Sequence, residues 1–113
     1  MPYADYEIPV RLQGEHAIPD IPSSMQVGET VHYTSNDGSV TVEFRENGSP
    51  FIDDAGSEKT VVSSTELPVK LSKAGTFTCR CFITPLGKTN AERIGWDPVK
   101  SPQSGGNHVV KGP

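Results

Sequence analysis

No apolar run in this chain approaches the 18 or so residues of a membrane-crossing helix, so nothing in it reads as a transmembrane segment. Basic clusters are missing as well. Ten lysines and arginines face fourteen acids and are scattered singly from Arg11 to Lys111. A formal charge of −4 with no cationic patch argues against nucleic acid or acidic lipid as a partner, because neutralising phosphates needs clustered cations. The opening MPYADYEIPV has neither the basic n-region nor the apolar h-region of a leader. With Met1 as the natural start, the expected compartment is the cytoplasm; with a leader trimmed away, the chain would be secreted. A nucleophile elbow, a phosphate-cradling glycine loop and a zinc-protease helix motif are all absent, so the expectation is a protein that is not an enzyme and carries no cofactor. Sulfur and imidazole are scarce too. Two cysteines, two methionines and three histidines leave little from which to build a metal centre.

What is present is strand material. Valine is the commonest apolar residue, and eleven glycines and ten prolines supply turns. Leu, Ile, Val and Phe make up about a fifth of the 113 residues, enough for one modest core in a single domain over 1–113. The most informative stretch is GTFTCRCFITP, residues 75–85, which holds both cysteines. Strand side chains alternate faces, so Phe77, Cys79, Cys81 and Ile83 point one way and Thr76, Thr78, Arg80, Phe82 and Thr84 the other. Apolar residues on both faces imply that the outer face is covered as well, by the segment around Trp96 or by another chain.

Elsewhere, Tyr6, Ile8, Val10 and Leu12 share a face of a first strand, with Pro9 expected at a sheet edge or bulge. Residues 25–27 and 30–34 read as the next strand, interrupted at Gly28, with Val31 and Tyr33 facing the core. Asn36-Asp37-Gly38 is a tight-turn signal before Val40, Val42 and Phe44. Residues 60–64 and 69–71 are short strands split by Pro68, residues 91–93 suggest a helical turn, and His108-Val109-Val110 is a last strand. Seven or eight short strands at this spacing predict an all-β, Greek-key β-sandwich, with residues 101–113 a Pro- and Gly-rich C-terminal tail.

The order of these features resembles the cupredoxin (plastocyanin-like) family over about residues 25–85. VGETV at 27–31 runs into a polar turn, SVTVEF at 39–44 follows, and residues 75–81 stand where that family carries a Gly-Thr-aromatic-x-aromatic-x-Cys strand with its copper thiolate. An immunoglobulin-like sandwich fits the strand pattern too. The resemblance implies a cupredoxin-like scaffold, but a type 1 site needs two imidazoles, a thiolate and a weak axial ligand. Ser39 stands at the place of the first histidine, and residues 82–95 supply neither histidine nor methionine. Of the expected set only Cys81 remains, so no blue-copper centre is expected.

Two residue groups are therefore candidates. Cys79 and Cys81 present two thiols on one face. They are either small buried hydrophobes or a soft-metal or redox pair, which would suit Cu(I) or Zn. None of the three histidines lies at ligand spacing from them, and a bond between cysteines i and i+2 of an extended strand is disfavoured. Trp96, Phe82 and Arg80 are the candidate binding residues, because tryptophan and arginine anchor interfaces, although a lone tryptophan also commonly plugs a core. Asp53, Asp54 and Glu58 form an acidic loop without EF-hand spacing, read as solvated turn carboxylates. Asn47-Gly48-Ser49, formally a glycosylation acceptor, reads as a turn. The leading expectation is a non-catalytic binding or assembly module with a protein partner or self-association. A thiol-based Cu(I) or Zn carrier or redox protein is the alternative.

Overall fold

The computed structural model describes residues 4–112. Its elements are β1 (Tyr6–Gln13), β2 (His16–Pro19), β3 (Met25–Gln26), β4 (Thr30–Thr34), β5 (Gly38–Glu43), β6 (Val61–Ser63), β7 (Val69–Lys70), β8 (Gly75–Pro85), β9 (Ile94–Gly95) and β10 (Gly105–Lys111), with a 3-10 turn over Asn90–Glu92. Two sheets pack face to face, in the order β2-β1-β4-β7 and β3-β10-β8-β5-β6, with β9 added to β8. The chain is thus an all-β sandwich. The strands number ten among the described residues, because β3, β7 and β9 are two-residue pieces.

Alternation explains which side chains are inside. Ile8 and Val10 of β1, Val31 and Tyr33 of β4, Val40 and Val42 of β5, and Phe77, Cys79, Cys81 and Ile83 of β8 all lie in one buried cluster between the sheets. The segment read as one interrupted strand is divided between sheets. β3 pairs in parallel with β10, whereas β4 pairs in parallel with β1. The crossing falls at Gly28, whose φ of 97° is one that glycine adopts readily. Pro9, expected at an edge, sits where β1 changes partner, since Tyr6 to Pro9 pair with β4 and Val10 to Gln13 with β2.

The Pro- and Gly-rich C-terminal segment, read as a tail, is structural. Residues 105–111 form β10, which lies between β3 and β8, and Ser101, Ser104, His108 and Val110 are buried. Pro113 lies outside the described residues.

β8 is the central strand of its sheet and has three partners. β5 runs along one edge, from Gly38 opposite Pro85 to Glu43 opposite Arg80. The other edge is shared: β10 covers Gly75 to Arg80, and β9 covers Phe82 and Ile83. Cys81 is the seam between them. Its N–H donates to the Ser104 carbonyl (3.1 Å), and its carbonyl accepts from the Trp96 N–H (3.0 Å). Glycines make these close approaches feasible. A Cβ on Gly105 would lie 2.0 Å from the Cys79 carbonyl oxygen, and one on Gly95 would lie 2.2 Å from that of Cys81.

Candidate functional site

The two faces of β8 carry two different constellations. On the inner face, Cys79 is 3% exposed and Cys81 fully buried, both as free thiols with their sulfurs 3.9 Å apart. The ladder pairs Cys79 with Gly106 and Phe77 with His108, so β10 offers no side chain beside Cys79 and a core-facing imidazole next along the strand. His108 is fully buried. Its Nε2 is 2.8 Å from the Tyr33 hydroxyl, and its ring meets Tyr33 and Phe44 edge-on at centroid distances of 6.0 and 5.2 Å. Its Nδ1 is buried with no hydrogen-bond partner. Two thiols, an imidazole and a phenol thus share the space between the sheets.

Electrostatics make the thiols unequal. Donation from the Cys81 thiol draws the Cys79 pKa down to about 5 against the opposing effect of burial, with His108 and the Gly106 N–H adding to the pull. Cys81 is pushed well above the ordinary thiol range, first by its bond to Cys79 and then by burial. Burial, and then the two sulfurs, push the Tyr33 hydroxyl well above its ordinary value. The pair therefore gives up one proton more readily than an ordinary thiol and holds the second more tightly.

The outer face carries a shelf of aromatic rings and guanidinium groups. The Arg80 guanidinium carbon lies 3.7 Å from the Trp96 ring centroid, and that of Arg93 lies 3.7 Å from the Phe82 centroid. Each arginine is also tied to a carboxylate. Arg80 Nε donates to Glu46 (2.8 Å) and Arg93 Nη1 to Glu43 (3.2 Å), while Arg45 Nε holds the other Glu43 oxygen (3.1 Å). Phe82 is 7% exposed beneath Arg93, so the 90–97 segment covers the outer face as its apolar Phe82 required. Trp96 is half-buried and does not plug the core. It lines a groove of about 690 Å³ together with Phe82, Arg93, Ile94, Asp97 and Lys100. On its other flank, with Arg80, Glu46 and Gln103, it lines a hollow of about 430 Å³.

A polar clasp fixes this shelf to the first sheet. Gln103 Nε2 donates to His16 Nε2 (2.9 Å), which leaves His16 Nδ1 to donate to Ser101 Oγ (2.7 Å). Ser101 in turn meets Ser104, whose Oγ accepts from the Ala17 N–H (2.9 Å). Asp97 caps its own turn by accepting from the Val99 and Lys100 N–H groups (2.9 Å each), which keeps its carboxyl below the usual range.

The structure brings Cys79 to Cys81, and Trp96, Phe82 and Arg80 onto one shelf. It also supplies residues that the sequence reading missed. His108 stands next to the thiols although no sequence spacing suggested it, and Arg93 and Glu43 complete the shelf. In the acidic loop, Asp53 accepts the Ala55 and Ser57 N–H groups (2.9 Å each), and Glu58 pairs with Lys73 (2.6 Å). Asn47 clamps the β8 backbone through Thr76 and Thr78.

No protein-family model, curated protein or solved structure matches this chain.

Proposed function

We propose that the chain is a non-catalytic protein-binding module, a cupredoxin-like sandwich without a type 1 copper centre, whose contact face is the shelf of Trp96, Phe82 and Arg80, with the groove and the hollow on either flank of Trp96. The observation that carries this reading is the pair of guanidinium groups, each parked 3.7 Å from the centroid of an aromatic ring and each already matched by a glutamate. Cation–π contact and ion pairing hold both arginines in one arrangement before any partner arrives, which lowers the ordering cost of binding. Because each of the two guanidinium groups is already engaged by a carboxylate, the shelf favours planar and apolar side chains over a free anion. Tryptophan and arginine are the residue types on which interface energy concentrates. The rim agrees with a protein occupant. Val99, 86% exposed, tips the turn between Asp97 and Lys100, both of which line the groove.

A photo-crosslinking residue at Val99 tests the proposal in cells that produce the protein. Protein adducts, to a second copy or to another chain, should form and should weaken at least tenfold when Trp96→Ala or Arg80→Ala is added. Adducts of unchanged strength in both variants would refute the assignment of this face.

A further inference from the structure

We propose that Cys79, Cys81 and the Nδ1 atom of His108 form a two-sulfur, one-nitrogen site for a single Cu(I) ion, buried between the sheets. This inference is independent of the groove on the opposite face of β8.

Three observations carry it. The first is the sulfur spacing. With metal–sulfur bonds of about 2.3 Å, two sulfurs 3.9 Å apart subtend roughly 116° at a bridging ion, close to the trigonal angle. Thiolates at this separation need no backbone movement to chelate, whereas closing a disulfide would draw them to about 2.05 Å. The second is the orphan nitrogen. Buried polar atoms almost always have a partner, yet His108 Nδ1 has none, and the register of β10 against β8 puts His108 opposite Phe77, two residues along the strand from Cys79. The third is the opposite nitrogen. Ligating histidines characteristically fix their second ring nitrogen on a neighbour, and Tyr33 holds Nε2 at 2.8 Å. With Nε2 accepting from the phenol, Nδ1 carries the ring proton. That proton and those of both thiols shift or leave as the ion binds, with Tyr33 available to reverse its bond and accept from an Nε2–H.

Among the described residues, no three ligand-type side chains already converge on one point, so loading draws the imidazole in towards the sulfur pair. The donor set also decides between metals. Zn(II) takes four ligands, and the core cluster that holds the two thiols is otherwise made of apolar side chains and Tyr33. Cu(I) accepts three, and soft thiolates select it.

The test uses the full chain, reduced and labelled with ¹⁵N-histidine. Cu(I) is offered from a bicinchoninate buffer both to the folded protein and during refolding from urea, so that burial cannot block entry. The expected result is one Cu(I) per chain, a near-ultraviolet thiolate-to-copper absorption, protection of both thiols from an absorbing thiol reagent, and a large shift of the His108 Nδ1 resonance. His108→Leu should retain the fold by its ¹⁵N spectrum and lose affinity by about tenfold or more. Three results would overturn the site: no copper retained after refolding, copper retained with the Nδ1 resonance unmoved, or Zn(II) held as tightly as Cu(I). The wild-type resonance decides the matter even if the variant fails to fold.

Discussion

Tyr33→Phe is the sharpest probe of the interior. The substitution removes one oxygen from a fully buried ring and leaves its packing volume in place. That oxygen is the partner of His108 Nε2 at 2.8 Å, and Nδ1 already has none, so in metal-free protein the variant buries an imidazole with both nitrogens unpartnered. Leaving a buried polar group unsatisfied costs about 1–3 kcal/mol, and a Tm fall of roughly 5–15 °C follows for a domain of this size. His108→Leu alone strands the phenol in the same way and loses the edge-on contacts with Tyr33 and Phe44. Replacing both residues removes both orphans, so the double variant should be less destabilised than the sum of the singles by about 0.5–3 kcal/mol. Urea unfolding followed by the fluorescence of the single tryptophan, Trp96, gives all four corners of the cycle, provided the m-values agree. Additivity to within about 0.5 kcal/mol would refute the argument, because it would mean that the two groups do not satisfy one another in the fold.

Other consequences are equally open to measurement. Gly105→Ala should break the β8–β10 ladder, at a cost on the order of 3 kcal/mol or more, because its Cβ would stand 2.0 Å from the Cys79 carbonyl oxygen; a melting temperature within a few degrees of wild type would show that the strands can part cheaply. Glu43→Ala strips the partner from Arg45 and Arg93, and Glu43 is 8% exposed, so a loss of about 1–2 kcal/mol that shrinks in high salt is expected from thermal unfolding at two ionic strengths; equal losses at both would remove the electrostatic account. Thiolate absorbance should show one group titrating near pH 5 in the folded protein and the second only far above the ordinary thiol value of about 8.5. By linkage, the lowered group adds stability that is complete above about pH 8.5 and is lost as pH falls through 5, while the raised group adds stability that is lost as pH climbs past 8.5, so the contribution of the pair peaks near that pH. A single two-proton step would contradict the unequal pair.

The strand character of β8, and the division of its side chains between core and outer face, were readable because a period of two survives over eleven residues. The same alternation placed Val31, Tyr33, Val40 and Val42 correctly. Sheet membership was not readable. Met25 and Val31 belong to different sheets, although only five residues separate them, since nothing local records which partner a two-residue strand will find. His108 escaped for a related reason. Its meeting with Cys79 depends on the register of β10 against β8, a pairing over 29 residues of sequence, and only the side-chain gap at Gly106 hinted at it. The outer shelf was half legible. Phe82 demanded a cover and Trp96 was the obvious candidate, but Arg93 over Phe82 and Glu43 beneath it rest on contacts between β5, β8 and the 90–97 segment that composition does not encode.

The position of β10 also sets an order of events during synthesis. This strand fills the middle of its sheet, between β3 and β8, and brings with it the histidine that faces the thiols. While the ribosome is still making residues 82–104, Cys79 and Cys81 have been translated, but of the strands that flank β8 on either side only β5 has been made in full. At the usual 5–20 residues per second, adding the thirty residues from Cys81 to Lys111 takes about 2–6 seconds, and β10 must then clear the exit tunnel before the sheet can close. The time between emergence of the thiols and docking of β10 is when a small reagent or an ion reaches them most easily. Afterwards the last strand closes the sheet, and what has entered by then is shut in by the same chain segment that delivers His108.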